Sequence, residues 1–331
     1  MKARVVSGMR PTGQLHLGHL VGALSNWVAL QDKYDCFYFV ADWHALTSEY
    51  ADTSKVVESA YDMVADWIAA GLDPEKSTFF VQSLVPEHAE LFLLLSMVTP
   101  VSWLERVPTY KEQQEDLKDR DLSTVGFLGY PLLQTADVSI YDARFVPVGE
   151  DQVAHLELSR EVVRRFNNVF GETLVEPQPL LTAVSRLPGI DGDKKMSKSI
   201  GNTIHLSDDP ETVMKRVRMM YTDPKRVRAD IPGTVEGNPV FVYHDTFNPD
   251  TAEVDDLKER YRAGKVGDVE VKTKLAKALN AHLDPIRERR RAVLAKPGTV
   301  KDILHEGSRK ARGTARETME RVREAVKLRY A

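Results

Sequence analysis

The sequence predicts an α/β fold in which a parallel sheet covered by helices is followed by an all-helical domain. In the first half, short apolar segments alternate with longer segments of helical periodicity, which indicates parallel strands joined through helices. After about residue 205 the pattern is helical, and no strand signal of comparable strength follows Val242. The length of 331 residues exceeds what one compact core usually holds, so two domains are expected, at 1–205 and 206–331.

Three strands and two helices are predicted in the first half. The strand segments are 4–7, 36–41 and 78–82, and the second is rich in aromatic residues, as suits a strand covered on both faces. One helical face is formed by Leu17, Leu20, Val21, Leu24 and Val28. A second runs from Val56 to Ile68 and ends at Gly71. Ligands of such sheets bind at the carboxyl ends of the strands.

The second half is predicted to consist of helices. A helix starts at 208–210 and places Val213, Val217 and Met220 on one face. A longer helical period covers 271–286, where Pro285 is expected to kink or restart the helix. The boundary between the two domains is expected near 201–206.

Composition excludes several classes of protein. Hydrophobic residues make up 42% and charged residues 28%, which is ordinary for a globular protein and not for a disordered one. The longest nearly unbroken apolar segment, 91–98, is far shorter than a membrane span, and 1–13 has no apolar signal region. Cys36 is the one cysteine, which excludes an internal disulfide. We expect a cytoplasmic protein without a membrane partner.

The net charge of −4 is unevenly distributed, because residues 1–280 sum to −11 and residues 281–331 to +7. Near the carboxyl terminus, an apolar helical stripe is formed by Ala311, Ala315, Met319, Val322 and Val326. Four arginines lie off this stripe and are expected to face outward: Arg309, Arg312, Arg316 and Arg323. This face is either a contact for a polyanion or the solvated side of a terminal helix.

The segment 11–19 (PTGQLHLGH) lies after the first strand and leads into the first helix. Backbone N–H groups and the helix dipole favour an anion at this place. His16 and His19 project from one face, and imidazoles aimed at a phosphate can stabilise the charge that develops on it. A zinc site would need a third ligand, for which His44 is the candidate; without a supporting carboxylate cluster we predict no metal site in the protein.

The segment 194–199 (KKMSKS) is predicted to be a cationic clamp. Two of its lysines, Lys195 and Lys198, flank the hydroxyl of Ser197, and glycines bound the loop on both sides. Such a clamp suits a triphosphate whose outer two phosphates are leaving. No P-loop and no GxGxxG motif occurs, so those two nucleotide-binding arrangements have no residues to support them.

Together these two segments resemble the signature motifs of the class I aminoacyl-tRNA synthetases. The residues 16–19 (HLGH) are similar to the HIGH motif, and 195–199 matches KMSKS letter for letter. The resemblance narrows to the bacterial tryptophanyl-tRNA synthetases through 7–13, 41–47, 105–106, 110–112, 136–137 and 146–152. It extends over the whole chain. It implies a Rossmann-like catalytic domain that binds nucleotide and a helical domain that binds the anticodon.

The resemblance implies that the protein activates tryptophan with ATP and transfers it to tRNA(Trp). His16, His19, Lys195, Ser197 and Lys198 would be the catalytic residues. Mg²⁺ is implied between the lysines and the leaving phosphates. The implied ATP-binding residues are Arg10, Pro11, Thr12, Gly18, His19, Gly149, Glu150, Asp151, Leu187, Lys195, Met196, Ser197, Lys198 and Ser199.

The same resemblance implies that Asp137 accepts the indole N–H, with Gln152 beside it. Val6, Gly8 and His44 complete the implied tryptophan site, and Val6 stands where many members have Phe. A homodimer is implied as well. The alternatives are a tyrosyl-tRNA synthetase, a small adenylyltransferase that would not need the second domain, and a paralogue that binds tRNA or indoles without charging tRNA.

Overall fold

The computed structural model describes residues 2–107, 122–149, 153–181, 187–192, 196 and 200–330. Within them five strands form one parallel sheet: β1 Arg4–Met9, β2 Asp35–Val40, β3 Ser77–Val81, β4 Phe145–Val148 and β5 Gln178–Leu181. The strand order is β3-β2-β1-β4-β5. Every pairing is parallel, including Val6 with Phe37 and Tyr38 with Phe79. The predicted α/β architecture with carboxyl-terminal helices is confirmed.

Helices connect the strands and make up most of the chain after β5. In the first part they are α1 Leu17–His19, a π-helical segment Leu20–Leu24, α2 Ser25–Leu30, α3 Asp42–Glu49, α4 Val56–Ala70, α5 Glu87–Ser96, α6 Val101–Glu105, α7 Val125–Ser139 and α8 Val153–Phe170. After β5 they are α9 Pro210–Arg218, α10 Pro239–Phe247, α11 Thr251–Arg262, α12 Asp268–Leu294 and α13 Thr299–Ala325. Gly71 ends α4 with a positive φ of 115°, as a left-handed cap does.

Both faces of the sheet are buried, because alternate side chains of each strand point into different hydrophobic clusters. One cluster contains Val5, Tyr38 and Phe79 and continues into α4 and the helices after residue 205. The other contains Val6, Phe37, Phe39 and Phe80, together with residues of α5, α7, α8 and α13. The first cluster runs without interruption across the expected boundary at 205, and the division into two domains stays a prediction.

The strands β4 and β5 were not predicted from the sequence, and the reason is chemical. Each of these strands contains a proline, Pro147 or Pro179, which cannot donate to the ladder and weakens the strand signal. The expectation that the helix restarts at Pro285 is wrong, because α12 continues through this residue from Asp268 to Leu294.

The carboxyl-terminal helix α13 packs on the sheet, and four of the five residues of the predicted apolar stripe are buried, whereas Val326 is half-buried. Of the four arginines expected to face outward, three pair with carboxylates of another helix. Arg312 and Arg316 donate to Glu87, and Arg323 donates to Glu90, so these three cations are paired with α5. Arg309 does point outward, with a 75% exposed side chain, and pairs with Glu306 on its own helix. None of the helices in the described ranges is long and apolar enough to cross a membrane.

Two glycines of α13 offer a direct test of this packing. A Cβ at Gly307 would lie 1.8 Å from the carbonyl oxygen of Phe79, whereas a Cβ at Gly313 meets nothing within 4 Å. We expect Gly307→Ala to lower the free energy of unfolding by about 1–3 kcal/mol, as overpacking does. Gly313→Ala should raise it by up to about 1 kcal/mol, because alanine favours a helix. Urea unfolding measures both, and equal effects of the two substitutions would contradict the docking of α13 on β3.

Candidate active site

The strand order reverses at β1, which makes the carboxyl ends of β1 and β4 the expected binding crevice. Gly8 and the turn at 10–12 lie at the end of β1, where the Thr12 N–H donates to the Arg10 carbonyl at 2.9 Å. Pro11 is buried, whereas Arg10 and Thr12 are exposed. Gly149 follows β4 directly and is buried. These residues therefore share one edge of the sheet.

The structure places the first signature segment against Met196 and against the described chain that follows the second. The N–H of Leu17 donates to the carbonyl of Ile204 at 3.0 Å, and the N–H of Leu206 donates to Leu15 at 3.0 Å. A Cβ on Gly18 would lie 3.4 Å from the sulfur of Met196. The chain that follows KMSKS is thus paired with the chain that carries HLGH, although about 180 residues separate them in sequence.

His16 and His19 lie against each other at the start of the first helix, with ring centroids 3.8 Å apart. The backbone N–H of His16 donates to Nδ1 of His19 at 3.2 Å. Since that nitrogen accepts a hydrogen bond, Nε2 carries the proton of the neutral His19 ring. His19 is therefore set up as a hydrogen-bond donor through Nε2. His44, the candidate third zinc ligand, is bonded to Asp137 instead.

Asp137 is the centre of a buried polar cluster, and its side chain is only 1% exposed. On Oδ1 it accepts from Nε2 of Gln82 at 2.7 Å and lies 2.6 Å from Nδ1 of His88. On Oδ2 it lies 2.7 Å from Nε2 of His44. Nε2 of His88 is in turn 2.6 Å from the Tyr141 hydroxyl.

The cluster keeps Asp137 ionised. Burial alone would raise the pKa of Asp137, but the charge and hydrogen bonds of His44 and His88 lower it to about 2. An ionised carboxylate only accepts, so all three neighbours donate to it. It offers about four acceptor positions. Gln82, His88 and His44 use three of them among the described contacts, and the fourth lies on Oδ2.

The lowered pKa of Asp137 predicts that the free energy of unfolding falls in acid. With a pKa of about 2 against the ordinary 3.8, the ionised group adds stability above about pH 4, which is lost as the pH falls toward 2. The full contribution is about 2 kcal/mol, and about half of it is lost by pH 3. We expect the difference in unfolding free energy between wild type and Asp137→Asn to narrow by about 1 kcal/mol between pH 6 and pH 3. A difference that stays constant would show that Asp137 titrates normally.

The remaining predicted site residues are distributed as follows. Val6 is fully buried among Phe37 and Phe39, and Leu187 and Met196 are buried in the cluster on the opposite face of the sheet. Seven predicted residues lie outside the described ranges: Glu150, Asp151, Gln152, Lys195, Ser197, Lys198 and Ser199. Within the described ranges, no group of three or more His, Cys, Asp or Glu side chains is placed to hold a metal ion.

Sequence reasoning missed Gln82, His88 and Tyr141. Gln82 could have been found, because it ends the predicted strand 78–82 and strand ends meet at the binding edge of a parallel sheet. His88 lies in the first turn of α5, and Tyr141 follows α7. Neither has a local sequence pattern that distinguishes it from a core residue, so only the packing reveals them.

Comparison with known proteins agrees with this geometry. The family model described as tRNA synthetases class I (W and Y) matches residues 1–284. The tryptophan–tRNA ligase of Thermotoga maritima is 52% identical over 328 residues, covering 99% of this chain and 100% of that protein. The enzyme of Aquifex aeolicus is 43% identical and covers 98% and 100%.

A solved structure of the tryptophanyl-tRNA synthetase from Campylobacter jejuni, complexed with ADP and tryptophan, superposes with a TM-score of 0.87. It is 34% identical in sequence, and the match covers 98% of this chain and 99% of that one. Sequence and fold thus agree over nearly the full length of each chain. The chain belongs to the class I tRNA synthetases, in the tryptophanyl-tRNA synthetase family.

Proposed function

We propose that this tryptophan–tRNA ligase activates L-tryptophan with ATP at the carboxyl edge of its sheet and then transfers it to tRNA(Trp). The single observation that carries the proposal is Asp137, which is buried and held ionised by donors from three different elements. A buried acceptor of this kind suits the indole nitrogen, which can only donate. The hydrogen bonds between the HLGH segment and residues 204–206 support the phosphate-binding half of the proposed site.

The nucleotide would lie along the segment that follows β1. Arg10, Pro11, Thr12, Gly18 and His19 are proposed to contact ATP, with Gly149, Leu187 and Met196. The resemblance adds Glu150, Asp151, Lys195, Ser197, Lys198 and Ser199. Mg²⁺ would enter with the phosphates, as it does in sites that bind it through substrate, and would neutralise part of their charge.

Formation of the adenylate requires mainly that the reactants are positioned and that the developing charge is stabilised. The tryptophan carboxylate attacks the α-phosphate in line, the bond from that phosphorus to the β-phosphate oxygen breaks, and pyrophosphate leaves. His19 would donate from Nε2 to a phosphate oxygen as charge develops, with His16 packed beside it. Lys195 and Lys198 would hold the leaving pyrophosphate.

Selectivity for tryptophan would follow from Asp137. An indole N–H completes the acceptor positions of Asp137, whereas phenylalanine would leave a buried carboxylate without this donor. Val6, Gly8, His44 and Gln152 are proposed to surround the ring. His44 already contacts Oδ2, the oxygen with the remaining position, so it would adjust as the indole enters.

The helices after residue 205 are proposed to bind the anticodon of the tRNA. The chain would divide into a catalytic domain at 1–205 and a helical domain at 206–331, act as a homodimer and work in the cytoplasm. Since the arginines of α13 that face α5 are paired with its carboxylates, the contact with tRNA would have to use other residues.

Pyrophosphate exchange into ATP tests the proposal when it is run with tryptophan, with tyrosine and without amino acid. Exchange that depends on tryptophan, followed by charging of tRNA(Trp), is the expected result. Exchange with tyrosine would overturn the role of Asp137 but keep the phosphate site. Folded protein that exchanges with neither amino acid in the presence of Mg²⁺ would favour a paralogue that does not charge tRNA.

A further inference from the structure

The segment 81–88 links the carboxyl-terminal helix to the cluster around Asp137. It leaves β3 at Val81, passes through a short 3₁₀ turn at Gln82–Leu84 and enters α5 at Glu87. Gln82 and His88, near its two ends, are the residues that bond Oδ1 of Asp137. Both side chains are fully buried, so their positions are set by the backbone that carries them.

At its first end this segment is held by Ser308. The backbone N–H of Val81 donates to the Ser308 hydroxyl at 3.1 Å. β3 is the edge strand of the sheet, so this N–H has no neighbouring strand to donate to. Gly307 lets the helix approach the strand closely, because a Cβ at this position would overlap the Phe79 carbonyl. The next residue in the chain is Gln82.

At its second end the segment is held by arginines. Arg312 donates to both carboxylate oxygens of Glu87, at 2.8 and 3.1 Å, and Arg316 reaches the same group at 3.3 Å. The side chain of Glu87 is only 7% exposed, so it is shielded from solvent in a way that a surface ion pair is not. The next residue in the chain is His88.

Both donors to Oδ1 of Asp137 therefore directly follow a residue that α13 holds. We propose that α13 positions the amino-acid site, with Ser308 and Arg312 setting the places of Gln82 and His88 and so the selectivity for the indole N–H. The inference rests on the proposed role of Asp137. Ser308 and Arg312 are positioning residues, because they would act through Val81 and Glu87.

The same contacts would be present if α13 only stabilised the fold. The test therefore needs a measurement that does not change with stability. The analogue in which benzothiophene sulfur replaces the indole N–H of tryptophan supplies it. The ratio of kcat/KM for tryptophan to kcat/KM for this analogue measures how well the N–H is recognised. Pyrophosphate exchange gives this ratio, and also the separate KM values for tryptophan and ATP.

The variants are Ser308→Ala and Glu87→Gln, with Glu306→Gln as the matched control. Glu306 forms the same kind of pair with Arg309 on the exposed side of the same helix. We expect the two test variants to lower the ratio by about threefold to tenfold, as residues that act through others do. The KM for tryptophan should rise and the KM for ATP should stay unchanged. Glu306→Gln should behave as wild type.

The outcomes separate this inference from the function on which it rests. If wild type distinguishes tryptophan from the analogue and both test variants do so equally well, α13 only stabilises the fold and the inference is overturned. If wild type itself does not distinguish them, the role of Asp137 fails and the inference fails with it. If Glu87→Gln does not fold, Ser308→Ala decides alone, because it removes one hydroxyl group.

Discussion

Replacing Asp137 with asparagine should lower kcat/KM for tryptophan by a factor on the order of 10²–10³ in pyrophosphate exchange. Three buried groups, Gln82, His88 and His44, donate to the two carboxylate oxygens. Asparagine has nearly the same shape, but its amide nitrogen donates and must face one of these donors. The buried site would then lose its charge and gain a donor–donor contact, each of which is costly away from water.

The KM for ATP should change much less, since the nucleotide would lie along the segment after β1. Asp142→Asn is the matched control. Asp142 lies at the same end of α7, but it pairs with Arg321 at the surface. A variant at Asp137 that activates tryptophan as well as the Asp142 variant does would remove Asp137 from the amino-acid site.

The sequence was most informative where a local pattern determines the structure. The strands at 4–7, 36–41 and 78–82 were predictable because a short apolar segment between two segments of helical periodicity is typical of a buried parallel strand. The α9 start was predictable because Asp209 caps it by accepting from the N–H of Thr212, and Pro210 follows at the first helical position. In each case a few neighbouring residues decide the structure.

The sequence was least informative where distant residues meet. Four arginines near the carboxyl terminus form a cationic face on a helical wheel, and nothing local indicates that Glu87 and Glu90 neutralise part of it. The cluster around Asp137 could not be predicted for the same reason, because its donors come from α3, from the end of β3 and from α5. Asp137 itself was found by resemblance, whereas Gln82 and His88 needed the packing.

The phosphate side of the site depends on His19. His19→Ala should cut adenylate formation by about 10²–10³, which is the usual cost of removing one donor aimed at developing charge. Nδ1 of His19 is occupied by the backbone N–H of His16, so Nε2 is the donor that the variant lacks. Because a donor of this type acts in the transition state, kcat should fall and tryptophan affinity should change little.

The control for His19 is His305→Ala, which removes an exposed histidine from α13. Single-turnover formation of the adenylate separates the chemical step from release of product. His19→Asn sharpens the test, because asparagine keeps a donor but is shorter than histidine. If a hydrogen bond to phosphate is the role of His19, His19→Asn should retain more activity than His19→Ala. If both variants form adenylate at the wild-type rate, His19 serves only to shape the turn into α1, and the charge on the phosphate must be stabilised by the lysines of the KMSKS segment.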